Sequence, residues 1–288
     1  VIYAKENCQL FVYQGMFLDR VTESFVNNKT NEKIKTLFDD YSDAGRKQIT
    51  AVIGNVMEFR GVWKNSFSST ETALGEFQCE SGAIINNVKM MCATDRCHVA
   101  STIEFEAIAK EFRSVNGEDL KLVAIIPSIR SATAINNLDS ETINHLIGNL
   151  NEHQMELELK LPKLDVVDSC DSDLLKKISR ALGISIEAED LSRLGQLSRQ
   201  ELNIIQKIKT SIDEKGAQGA IATAAAIVLR ECFIEPDEEE PIPYFHFDCP
   251  GYIAIVDSKG NRLLELIIKD GSFLILDGSP KITFAENC

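Results

Sequence analysis

Asp213-Glu214-Lys215-Gly216-Ala217-Gln218-Gly219-Ala220-Ile221-Ala222-Thr223-Ala224-Ala225-Ala226-Ile227-Val228-Leu229-Arg230 is the segment that settles the architecture of this chain. Between Lys215 and Arg230 it carries no charge, and most of its side chains are small. The residues before it, Ile204 to Ile212, are β-like. The residues after it, Glu235 to Pro243, form an acidic loop with prolines. A strand that enters between two others is buried on one face and has both ladder edges paired. Small side chains permit that entry without forcing the sheet apart. The segment therefore reads as one that can be taken up by a sheet.

The rest of the chain supplies a core for such a sheet. It has 288 residues, 44% apolar and 26% charged, close to the globular average. That length suffices for one large domain or two ordinary ones. The net charge is −14. An acidic surface repels polyanions, and there is no run of three basic residues; Lys207/Lys209 and Lys176-Lys177 are the densest spots. Nucleic acid is not an expected partner. No apolar stretch approaches the roughly 18 residues of a membrane span. The chain opens Val1-Ile2-Tyr3, which reads as processed or truncated and says little about compartment.

Along the chain, strand patterns dominate. Val1 to Gly15 reads as a strand, Val21 to Phe38 as a helix and Ile49 to Trp63 as a buried strand. Short β-rich runs follow at Phe77–Cys79, Asn87–Met91, His98–Phe105 and Leu120–Ile126. Leu138 to Leu150 is helical, and Leu157–Pro162 alternates like a half-buried strand. Asp168 to Asp173 reads as an acidic turn, with Asp173 capping a helix over Leu174–Leu182 that Gly183 ends. Phe245 to Phe284 returns to short strands. The fold class is α+β.

Catalytic signatures are missing. The four histidines, His98, His145, His153 and His246, lack a nucleophile elbow, and no H-E-x-x-H, G-x-G-x-x-G or P-loop pattern occurs. The eight cysteines show no C-x-x-C; Cys92, Cys97 and His98 are the nearest thing to a zinc half-site, with no second half. Neither an enzyme, a metal nor a cofactor is expected. Asn28-Lys29-Thr30 is a glycosylation sequon if the protein is secreted.

Several ordered motifs resemble those of the serpins, serine-protease inhibitors that trap proteases by inserting a reactive loop into a β-sheet. Asn55-Val56-Met57-Glu58-Phe59-Arg60-Gly61-Val62-Trp63, then Phe67, Thr72 and Phe77, is similar to the central-sheet signature. Val88-Lys89-Met90-Met91, Leu161-Pro162-Lys163, the Leu174–Gly183 helix, Ala188–Ser192 and Phe247-Asp248-Cys249-Pro250 match further family segments. The likeness runs from Ala4 to Cys288.

The resemblance implies a serpin fold, with mixed β-sheets, surrounding helices and an exposed or inserted reactive loop. It implies a single domain over residues 1–288, lacking the usual N-terminal helices and a segment near 20/21. It implies a suicide-substrate inhibitor of a trypsin-like serine protease, extracellular or alternatively cytoplasmic, and monomeric. Glu214, Lys215 and Gly216 match the hinge, which continues through Ala217, Gln218, Gly219, Ala220, Ile221, Ala222 and Thr223. The family's spacing puts the scissile bond at Arg230-Glu231; Glu231-Cys232 and Leu229-Arg230 are the neighbouring alternatives. Trp63 with the Lys163–Glu214 pair resembles the latch where insertion begins, and Asn55 would sit where the strands separate. The plainer readings are a core aromatic and surface charges.

Three departures stand out. Ile221 is bulky on a face where the family prefers small residues, and overpacking costs roughly 1–3 kcal/mol. Gln206 stands where many members have His. The stretch from Arg230 to Pro250 is longer than usual and acidic. Ile221, Gly219 and the long acidic stretch motivate the alternative of a non-inhibitory serpin-fold binding or carrier protein.

Overall fold

Alternating apolar and polar side chains build most of this protein, because successive residues of a strand face opposite ways. The computed structural model describes residues 3–12, 16–30, 51–114, 119–150, 153–170, 202–218 and 242–284. In chain order the first strands are β1 (Tyr3–Val12), β2 (Ala51–Val62), β3 (Ala73–Gln78), β4 (Ala83–Ser101) and β5 (Phe105–Glu111). Then come β6 (Lys121–Pro127), β7 (Gln154–Pro162), β8 (Leu164–Cys170), β9 (Leu202–Asp213) and β10 (Gly216–Gln218). The last are β11 (Tyr244–His246), β12 (Gly251–Val256), β13 (Arg262–Ile268) and β14 (Leu276–Phe284). Among the described residues the α-helices are α1 (Met16–Thr30) and α2 (Ser140–Asn149), with a 3-10 turn at Ala134–Asn137.

The chain forms two compact units, one of Val1–Ile2, Arg60–Asp165 and Ser211–Cys288, the other of Tyr3–Phe59 and Val166–Thr210. The first holds a nine-stranded sheet with the path β11-β7-β4-β5-β6-β12-β13, and β3 and β14 also pair with β4. Every residue of β12 is buried, whereas β13 alternates, which fits an inner and an outer strand. Phe105, Ala107, Val123, Ile125, Tyr252 and Ala254 from β5, β6 and β12 form one core with Ile143, Leu146 and Ile147 of α2. Those α2 positions fall at i, i+3 and i+4, so one helical stripe covers the sheet. Asp139 starts the helix by accepting a hydrogen bond from the Thr142 N–H at 2.8 Å. In the second unit, Ala51–Glu58 of β2 pair in parallel with Leu202–Lys209 of β9.

Three expectations change. The helix expected from Val21 begins at Met16, and α1 runs unbroken through Arg20 and Val21. The runs Asn87–Met91 and His98–Phe105 are not separate strands. Asn87–Met91 and His98–Ser101 lie in one strand, β4, which bridges the polar Thr94-Asp95-Arg96 because Glu156–Glu158 of β7 pair with those residues, and Phe105 opens β5. Asp168 to Cys170 complete β8 and open no turn, since ladder pairing outweighs the turn preference of the short polar residues. The helix expected over Leu174–Leu182 lies outside the described residues.

Gly251 starts β12 where a Cβ would lie 2.8 Å from the Ile125 carbonyl oxygen and 2.6 Å from the Phe247 ring. Neither the backbone nor the buried ring can yield cheaply. Gly251→Ala should lower unfolding stability by about 1–3 kcal/mol, measured by urea denaturation; an unchanged midpoint would show that β12 and β6 can move apart.

Candidate functional site

β9 ends at Asp213, and the chain reverses through Glu214 and Lys215 into β10. The reversal is local chemistry. Asp213 Oδ1 accepts from the N–H groups of Lys215 at 2.8 Å and Gly216 at 3.2 Å, a side-chain turn of the kind aspartate favours. Gly216 has φ +146°, and a Cβ there would sit 1.9 Å from the Gly61 carbonyl oxygen, so only glycine fits. β10 then runs antiparallel to both neighbours. Gly216 and Ala217 pair with Val62 and Gly61 of β2; Gly216, Ala217 and Gln218 pair with Asp213, Ile212 and Ser211 of β9. Ala217 is fully buried, as a small residue wedged between two strands must be.

The turn leaves three consecutive carbonyls needing donors, and one short segment supplies them. Trp63 Nε1 donates to the Asp213 carbonyl at 2.8 Å. The main-chain N–H of Phe67 donates to Glu214 O and that of Trp63 to Lys215 O, each at 3.0 Å. Trp63 is fully buried. It stacks on Phe112 with centroids 4.5 Å apart and meets Phe67 edge-on at 6.0 Å.

The Glu214 side chain forms a clasp. Lys163 Nζ donates to Glu214 Oε1 at 3.1 Å and Oε2 at 2.8 Å, and Thr72 Oγ1 donates to Oε1 at 2.7 Å. Lys163 is fixed between β7 and β8 by main-chain bonds to Lys89 and Ile275. Burial alone would raise the Glu214 pKa. The bonds from Lys163 and Thr72 outweigh it and hold the carboxyl below its ordinary value.

The remaining expected residues divide. Asn55 and Gln206 are register partners across β2 and β9. Gln218 lies in β10. Gly219, Ala220, Ile221, Ala222, Thr223, Arg230 and Glu231 lie outside the described residues. Cys97 and His98 are both buried in β4, and burial pushes the Cys97 thiol up to about 12. Among the described residues no three His, Cys, Asp or Glu side chains converge as a metal site, and no helix is long and apolar enough to cross a membrane.

Sequence reading missed the roles of Asp213, Phe67, Thr72 and Phe112. Asp213 had a signal, since an Asp just before a Gly-containing turn commonly bonds the backbone two residues on. Phe67 and Thr72 came only as members of the central-sheet signature, without a role, and Phe112, distant in sequence, gave no signal.

Glu214→Gln should lower stability by about 1.5–3 kcal/mol at neutral pH, because it removes a charge-assisted bond at a largely shielded site. The folded pKa is depressed, so the contribution is complete above the ordinary value of 4.5 and is lost as pH falls through the folded value. Melting scans across that window should show a shallower acid loss in the variant than in the native sequence; parallel curves would mean that the clasp contributes nothing.

A model of the family described as Serpin (serine protease inhibitor) matches residues 19–266. Iripin-8 of Ixodes ricinus is 26% identical over 263 residues, covering 89% of this chain and 62% of Iripin-8. Intracellular coagulation inhibitor 2 of Tachypleus tridentatus is 21% identical over 263 residues, covering 89% of this chain and 60% of that protein. The chain thus spans about three fifths of the length of these curated relatives. The crystal structure of native protease nexin-1 with heparin superposes with a TM-score of 0.70 at 18% identity, covering 93% of this chain and 76% of that one. With the family model spanning most of the sequence and the sheets matching in space, the chain belongs to the serpin family.

Proposed function

We propose that this chain inhibits a trypsin-like serine protease as a suicide substrate and is not itself a catalyst. The observation that carries this reading is β10. Its residues have already turned back from β9 and bond to β2 on one side and β9 on the other. The segment that follows, from Gly219 to Leu229, is uncharged and mostly of small side chains, which would extend the same strand.

In this reading residues 1–288 act as one serpin domain, and Arg230-Glu231 is the bond offered to the protease. The Arg230 guanidinium enters a pocket with a buried carboxylate, which it can pair bidentately. The protease serine oxygen attacks the Arg230 carbonyl carbon. An ester forms, the peptide bond breaks, and the Glu231 amine takes up a proton and leaves. The freed loop then inserts before water can cleave the ester.

The driving force follows from the sheet. β2 and β9 pair directly and in parallel over Ala51–Glu58 and Leu202–Lys209. An inserted strand replaces that one parallel ladder with two antiparallel ones, which are slightly stronger per residue. The net gain is one ladder. At roughly 0.5–1.5 kcal/mol per bond, about a dozen bonds release on the order of ten kcal/mol. The proposed compartment is extracellular, where the exposed Asn28 heads its sequon.

A second reading, a non-inhibitory binding or carrier protein, is favoured by Ile221 and by Glu231 after the scissile bond. Bulk at Ile221 would slow insertion, and water would release the protease first.

Equimolar trypsin should give a boiling-resistant band at the summed mass, and the released peptide should begin at Glu231. The cleaved chain should melt about 20 °C higher or more, given the ladder gained. Clean cleavage with no complex and no rise in melting temperature would favour the second reading. Ile221→Ala should increase complex relative to cleaved product; an unchanged ratio would remove Ile221 as the brake.

A further inference from the structure

Behind the donors that hold the hinge turn lies a charged pair in an apolar setting. Lys110 of β5 is 3% exposed, yet its side chain ends in an ammonium. That ammonium pairs with Asp95 Oδ2 of β4. It also lies 4.7 Å from the centroid of Phe67 and 5.6 Å from that of Trp63. The other Asp95 oxygen accepts from Asn65 Nδ2 at 2.9 Å. Between these contacts, Lys64 donates its main-chain N–H to Glu111 O at 3.0 Å and pairs with the Glu111 carboxylate. Trp63, Lys64, Asn65 and Phe67 are therefore each gripped from β4 or β5. On its opposite side the same segment donates to the carbonyls of Asp213, Glu214 and Lys215.

Stability does not require an ion pair here. Well-packed apolar residues of similar volume often serve as well or better, because charges lose hydration on burial. What the pair adds is direction. A cation is drawn over the faces of aromatic rings, and the bond to Asp95 fixes where that cation sits. We propose that Lys110 and Asp95 are positioning residues for the hinge. Their pair sets the rings of Trp63 and Phe67, and through them the N–H groups that hold residues 213–215. The inference rests on the reading of this turn as the hinge of an insertable loop.

The test compares the native chain with Lys110→Met/Asp95→Leu, which removes both charges and leaves neither partner alone. Amide hydrogen exchange reads the hold directly. The Trp63 and Phe67 amides should exchange at least about ten-fold faster, while those of Val123 and Ile125 in β6 stay protected. Trp63 is the chain's single tryptophan, so its emission should shift to the red as the ring loosens. Lys110→Arg, with Asp95 intact, should restore native exchange. Asn65→Ala, at an exposed position, removes the bond to Asp95 Oδ1 while keeping both charges; it should speed exchange at Trp63 and Phe67 and decides the matter if the double variant does not fold. Native exchange at Trp63 and Phe67 in the folded variants would overturn the inference. No protease enters the measurement, so absence of trypsin trapping would defeat the proposed function and leave this result standing.

Discussion

The structure around the β9–β10 turn depends on three backbone carbonyls. Asp213, Glu214 and Lys215 present theirs in succession, and Trp63 and Phe67 supply the donors. Both donor residues lie on one short segment, so moving it would affect all three bonds at once. Trp63 supplies two of the donors, one from its backbone and one from its ring. That double use explains why an indole suits the position. Phenylalanine would fill the space and leave the Asp213 carbonyl unpaired.

From that anchor the direction of β10 follows. The turn is closed by Asp213 and passes Gly216 so near to Gly61 that no side chain fits. Ala217 then enters between two strands with its side chain fully buried. Gly216 and Ala217 are in register with both neighbours, and Gln218 with β9. Beyond these residues β2 and β9 pair with each other directly, in parallel, over Ala51–Glu58 and Leu202–Lys209.

Strands and the α+β class were legible in the sequence because alternation and proline ends mark them, as in β6 and β7. Boundaries were less so. Thr94-Asp95-Arg96 broke the apolar pattern and split β4 in two, although pairing with β7 carries the strand across them. Met16 to Arg20 gave no capping signal, and α1 includes them. At the turn, the glycine and the small residues were readable as local chemistry, and Lys163 and Glu214 came with the resemblance to a family. The roles of Thr72, Phe112 and Lys110 were not readable. Each acts through a partner far away in sequence, and a lysine in the strand Phe105–Glu111 looks like an ordinary surface residue until the fold buries it.

The seat is held at two places by a lysine and a glutamate, and the two pairs are not equal. Burial opposes ionisation of both Glu214 and Glu111; Lys163 and Thr72 at the first, and Lys64 and His98 at the second, still hold the carboxyls below the ordinary range. Both therefore weaken in the same direction as pH falls below about 4.5. Solvent decides their weights. The Lys64 side chain is 63% exposed, so water and salt screen its pair. Lys163 and Glu214 are 21% and 14% exposed, and their clasp includes Thr72 as a neutral third member. The clasp on the turn is thus the stronger of the two, and the Lys64–Glu111 pair is the one that yields first to salt. High ionic strength accordingly loosens that pair while leaving the turn clasped, whereas acid releases both.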